Sequence, residues 1–281
     1  MPPQRFILRK PDLDTVYTAF LLGCREEDEV LLVPGEAPPE PLADPKVFCI
    51  ECGGSGQIEK GNFDHHNTPV SLPPACLQAL HWREPDDPLL WDWAEYVAAV
   101  DVGKDPGRPG PGWSLSQLFS GLRWCRRAPL DQFWAGLQLC RTILAHRLAP
   151  GQPLPLLPEW EDYRQAKTRL AQELADFLPQ AVFFTTRGGL AAGYLAAPVP
   201  GVHGLLRRCG CQISIAQGLP GSDGPIVTIA SRGLNLRPLL AILQELEPGW
   251  GGPAHGTIIA APTTGSALTP AHLLNVVQEY L

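Results

Sequence analysis

Short apolar runs and helix-spaced stripes alternate along the first half of the chain. Arg5 to Arg9 has the length and apolar character of a buried strand. Asp14 to Cys24 follows with Val16, Phe20 and Leu21 at helical spacing. Glu29 to Val33 reads as a second strand, and Lys46 to Cys52 as a third that runs into Gly53-Gly54. Strands alternating with helices predict a parallel sheet covered by helices. Pro88 to Val102 is expected to be helical, with Trp91, Ala94, Val97 and Ala98 on one face and proline in the first turn. Leu115 to Leu122 and Leu130 to Leu148 continue as helices.

The pattern changes after a proline-rich stretch from Pro150 to Pro158. Glu159 to Leu178 is a charged helix of the kind that connects domains. From Ala181 onward β-rich segments take over, at Gly189 to Ala197, Gly210 to Ala216, Pro225 to Ser231 and Thr257 to Ala261. Helices are expected at Leu236 to Leu246 and Pro270 to Leu281. The fold class is therefore α/β, in two domains facing each other across a cleft. Residues 1–148 form a parallel-sheet domain, 149–180 a linker and connecting helix, and 181–281 a smaller mixed α/β domain. The prolines and glycines of Pro34 to Pro45 and Asp105 to Trp113 mark further loops.

Composition narrows the classes. Hydrophobic residues are 44% of the 281, enough for buried cores, so disorder is not expected. The formal net charge of −7 argues against a long duplex nucleic acid as partner, while leaving room for a small anionic ligand or a short oligonucleotide. No run of about 18 apolar residues suggests a membrane span. Met1 to Lys10 lacks a secretory pattern, and the eight cysteines read as reduced thiols, so a cytoplasmic location is expected. Cys49-x-x-Cys52 has no second pair to complete a zinc site and reads as packed strand cysteines.

Candidate chemistry lies where a parallel sheet presents it, in loops at the carboxyl ends of strands. Hard divalent cations take carboxylate oxygens and imidazole nitrogens. Asp12 and Asp14 follow the first strand, Glu51 ends the third, Asp64-His65-His66 comes thirteen residues later, and Asp101 ends a helix. That is about the ligand supply of a paired-ion site, which activates water for in-line displacement.

Together these residues resemble the DHH phosphoesterase superfamily, which includes inorganic pyrophosphatases, exonucleases and small-oligonucleotide phosphodiesterases. Pro11-Asp12-Leu13-Asp14 is similar to its first motif, Glu51 falls at the second, and Asp64-His65-His66 is the naming motif. The resemblance implies that Asp12, Asp14, His65 and Asp101 are metal ligands, with Glu51 bridging. Asp64 would be a further ligand or orient an imidazole, and His66 would face the substrate phosphate. Trp250-Gly251-Gly252-Pro253-Ala254-His255-Gly256 resembles the glycine-rich motif of the associated DHHA1-like domain. On that reading Gly251, Gly252, His255 and Arg232 bind substrate, and Arg232 and His255 join His66 in catalysis. The implied function is metal-dependent hydrolysis of a phosphodiester or phosphoanhydride in a small nucleotide-like substrate. Manganese is the expected ion, with magnesium or cobalt as alternatives, and a homodimer is left open. Two positions depart from the family pattern: Leu8 stands where a metal-binding histidine is expected, and Glu51 replaces an aspartate. They favour the alternative, a catalytically degenerate nucleotide- or phosphate-binding protein.

Overall fold

In a computed structural model, which describes residues 3–66, 68, 70–103, 112–220, 224–252 and 256–281, the apolar runs of the first half pair side by side. Strands β1 (Arg5–Leu8), β2 (Glu29–Leu32), β3 (Val47–Ile50) and β4 (Asn62–Phe63) form a parallel sheet in the order β2-β1-β3-β4. Successive side chains point to opposite faces of a strand. Phe6, Leu8, Phe48 and Ile50 accordingly enter one core, while Ile7, Val47 and Cys49 enter another on the reverse face. Both faces are covered at β1 and β3, which is why those two strands read as continuous apolar runs, whereas Leu31 on edge strand β2 is exposed.

The larger core lies under helices α1 (Leu13–Leu21), α3 (Ala75–Arg83), α4 (Pro88–Asp101), α5 (Leu115–Cys125) and α6 (Pro129–Ala145). Val16, Leu80, Trp93, Val97, Leu118 and Phe133 are buried there. The smaller core is closed by Ala37 and by Leu42 of a short helix α2 (Pro39–Ala43). Local chemistry starts these helices where it should. Asp12 caps α1 through the Thr15 amide, Asp87 caps α4 ahead of Pro88, and Ser114 and Gln117 form a capping box on α5. The expected loop at Pro34 to Pro45 thus contains a helical turn: proline is tolerated in the first turn, where its missing N–H costs no bond. The expected loop at 105–113 lies outside the described residues apart from Gly112 and Trp113.

The chain divides into two compact units, Met1–Thr168 and Arg169–Leu281, with the division inside helix α7 (Glu161–Phe177). The second unit is a five-stranded mixed sheet, β5 (Val182–Thr185), β6 (Ala191–Ala196), β7 (Ile213–Pro220), β8 (Pro225–Ser231) and β9 (Ile258–Ala260), in sequence order. Among the described strands of this sheet only β6 and β7 run parallel, joined through α8 (Val202–Arg208). Helices α9 (Arg237–Leu246) and α10 (Pro270–Tyr280) cover one face over Ile213, Ile215 and Ile229. Leu174, Leu205 and Leu206 pack against Leu195 on the other. His203 of α8 is held between Ser214 Oγ and Thr228 Oγ1, both at 2.8 Å. The chain is therefore two α/β domains. Among the described residues no helix is long and apolar enough to cross a membrane.

Candidate metal centre

The order β2-β1-β3-β4 makes the edge between β1 and β3 a switch point. From β1 the chain moves to β2 on one side, and β3 then pairs on the other. Loops leaving the carboxyl ends of such a pair diverge and open a crevice. The β1 loop carries Asp12 and leads into Asp14 in the first turn of α1, the β3 loop carries Glu51, and the β4 loop carries Asp64, His65 and His66. Asp101, the last residue of α4, joins them.

One ligand atom from each of Asp14, Glu51, His65 and Asp101 lies within 4.8 Å of the others, and Glu51, His65 and His66 form an overlapping set. His65 Nε2 is 3.1 Å from Glu51 Oε1 and 3.5 Å from Asp101 Oδ2. Three carboxylates and an imidazole form a donor set suited to a hard or borderline divalent cation. Glu51 is fully buried and sits at φ 55°. A non-glycine residue in this left-handed region costs about 1–2 kcal/mol, and such strain collects at functional sites.

The charges are arranged for a cation. Asp14 is pushed well above the ordinary carboxylate range, by burial and then by the carboxylates of Glu51 and Asp101. Asp101 is raised too, by burial and by Glu51, with His65 and Lys10 opposing. Glu51 is lowered: burial works against its charge, but the His65 hydrogen bond and the Lys10 and imidazole charges outweigh it. Burial also opposes the His65 imidazolium, yet the Glu51 hydrogen bond and the carboxylates of Asp14, Asp101 and Glu51 push it up to about 8. Buried like charges at this separation are unfavourable until a counter-ion is supplied.

Asp12 and Asp64 lie outside the four-residue set, and Asp64 takes the imidazole-orienting place that was one of its two expected roles. Asp64 accepts from the Gly53 amide at 2.7 Å and the His66 amide at 2.8 Å, and holds His66 Nδ1 at 2.9 Å. It fixes the ring of His66 rather than joining the four-residue set. Asp12 caps α1 and contacts Lys10 Nζ at 2.6 Å. In the second unit, Arg232 is exposed and follows β8. The Gly251 amide donates to Ala260 O, and a Cβ on Gly252 would meet Ile258 O at 2.4 Å, so both glycines are engaged in close backbone pairing with β9. His255 lies outside the described residues.

Other participants came from outside the motifs. Amides of Ala75 and Cys76, at the start of α3, donate to the two oxygens of Asp14 at 2.9 and 2.8 Å. Thr15 Oγ1 donates to Glu51 Oε2 at 3.4 Å, and Gln78 Nε2 donates to Asp64 O at 3.0 Å. Ser55 Oγ donates to His66 O at 2.5 Å. A polar cavity of about 300 Å³ opens beside His66, lined by Glu36, Gly53, Gly54, Ser55, Gln57, Asp64 and Thr68 as well.

No family model matches the sequence, and no curated protein matches it. Solved structures do. A pGpG-specific phosphodiesterase from Vibrio cholerae is similar with a TM-score of 0.54 at 16% identity, over 92% of each chain. A DHH domain described as a member of the s1p family of ribosomal proteins is similar with a TM-score of 0.53 at 13% identity, over 92% of this chain and 82% of that one. At these identities the likeness is one of fold.

Proposed function

The chain has the fold of the DHH superfamily, and on that premise we propose that it is a metal-dependent phosphoesterase acting on a small nucleotide-like substrate. The observation that carries this reading is the convergence of Asp14, Glu51, His65 and Asp101 at the switch point of the parallel sheet. A divalent ion held by these residues, manganese first and magnesium or cobalt as alternatives, would supply a water of lowered pKa and a Lewis acid for phosphoryl oxygens.

The remaining steps belong to side chains of this protein. Asp64 accepts from Nδ1–H of His66, so the ring in its imidazolium form would donate from Nε2 to a phosphate oxygen and stabilise charge as the water adds. His66 also borders the polar cavity, whose size is at the lower end for small-ligand sites. Arg232, Gly251, Gly252 and His255 are assigned to the substrate by family resemblance. The solved neighbour named as pGpG-specific makes a 5′-phosphorylated dinucleotide the first compound to test. Leu8, fully buried and apolar at the end of β1, favours the second reading, a nucleotide- or phosphate-binding protein without turnover.

The full-length protein, incubated with Mn²⁺ and pGpG or a generic phosphodiester, is expected to release mononucleotide or leaving group. His65→Ala and Asp101→Asn are expected to abolish the release. Bound metal and bound nucleotide without any hydrolysis would overturn the enzyme in favour of the binder.

A further inference from the structure

The two oxygens of Glu51 face different partners. Glu51 Oε1 faces His65 at 3.1 Å, and both residues belong to the converging set with Asp14 and Asp101. Glu51 Oε2 faces Thr15 Oγ1 at 3.4 Å and Lys10 Nζ at 3.9 Å. Lys10 Nζ in turn lies 2.6 Å from Asp12 Oδ2. The carboxylate therefore spans two positions of positive charge, as a bridging ligand does, but one of those positions is taken by an ammonium of the chain itself.

We infer that Lys10 replaces one ion of the paired-ion arrangement, so that the centre takes a single divalent cation beside a fixed ammonium. The inference rests on the proposed metal centre and specifies its stoichiometry. Three observations carry it. Asp12 stands outside the four-residue set whose donor atoms converge, and its free oxygen is engaged by Lys10. The end of β1 offers no donor on that side, because Leu8 is fully buried in the larger core. Charge also tells against a second ion while the ammonium stays. Asp12, Asp14, Glu51 and Asp101 bring four negative charges and Lys10 one positive. A single divalent ion leaves one net negative charge, whereas a second would leave a net positive cluster with an ammonium against a dication. An ammonium has three donors and no open coordination position. It can hold Asp12 and a phosphate oxygen in place, but it cannot activate a water as an ion does.

The test counts metal on the full-length protein, by equilibrium dialysis against saturating Mn²⁺ with elemental analysis, and reads spin coupling by electron paramagnetic resonance. Wild type is expected to hold one Mn²⁺ per chain with an uncoupled spectrum. Lys10→Asn, which frees Asp12 and removes the competing charge, is expected to approach two per chain and to show Mn–Mn coupling. Lys10→Ala gives the same comparison without a new polar group. Two coupled ions in the wild type would overturn the inference while leaving the phosphoesterase reading intact. A count that stays at one in both Lys10 variants would also overturn it, because the ammonium would then not be what excludes the second ion. No bound Mn²⁺ in any of the proteins would sink the metal centre itself, and this inference with it. Two coupled ions in the wild type would overturn the inference even if a variant fails to fold.

Discussion

Replacing Asp14 with asparagine separates its two roles. Its oxygens accept from the Ala75 and Cys76 amides at 2.9 and 2.8 Å, with the side chain 2% exposed. Asparagine keeps one carbonyl acceptor and turns an NH₂ group toward the other amide. The lost bond and the stranded donor together cost about 2–4 kcal/mol. Against this, the variant removes a charge disfavoured by burial and by Glu51 and Asp101, which returns part of that cost in metal-free protein. The net loss without metal is therefore expected at about 1–2 kcal/mol. Metal changes the comparison. A cation at a hundredfold excess over its dissociation constant stabilises the wild type by about 2.7 kcal/mol. The variant, lacking one of four ligands, gains little. Urea unfolding in EDTA and in Mn²⁺ should thus widen the gap to about 4 kcal/mol. An equal Mn²⁺ gain in both proteins would refute the placement of Asp14 at the ion.

Asp64→Asn should leave Mn²⁺ binding near wild type and lower kcat by about tenfold or more, because the ring of His66 loses its partner at 2.9 Å; a steady-state kinetic comparison with metal counting checks this. Gly54→Ala should cost about 2–3 kcal/mol in urea unfolding, since Gly54 has φ 73° and a Cβ there would lie 2.5 Å from Asn62 Nδ2. His203 is pushed down to about 4 by burial and then by the Arg207 charge. The folded form therefore favours the neutral ring, so its stabilisation is complete above about pH 6.5 and declines as pH falls toward 4, by at most about 3 kcal/mol. Thermal melting across that window should show a steeper decline in wild type than in His203→Gln, and equal slopes would count against the buried neutral histidine.

The parallel sheet was legible because β1 and β3 are short apolar runs buried on both faces, and because Asp12, Asp14 and Glu51 follow those strands directly. Helix α3 was not, since Ala75 to Arg83 places Gln78 among its buried residues and His81 and Trp82 outside, with no clean apolar stripe. That omission hid the donors to Asp14, which come from residues 61 and 62 positions away. Strand β4 has two residues, too few to display a period. Asp12 and Asp64 carry the same carboxylate as the converging ligands, and only the folded geometry separates a cap and a histidine-orienting group from the set around Glu51. Lys10 borders the first motif, but its approach to Glu51 depends on β1 lying beside β3, a pairing that local sequence does not display.

The most direct test of the metal centre is an anomalous difference map from a crystal of the full-length protein soaked in Mn²⁺. A peak is expected among Asp14, Glu51, His65 and Asp101, within about 2.0–2.4 Å of their donor atoms, and it should vanish in His65→Ala. Strong density elsewhere with none among these four side chains would contradict the account.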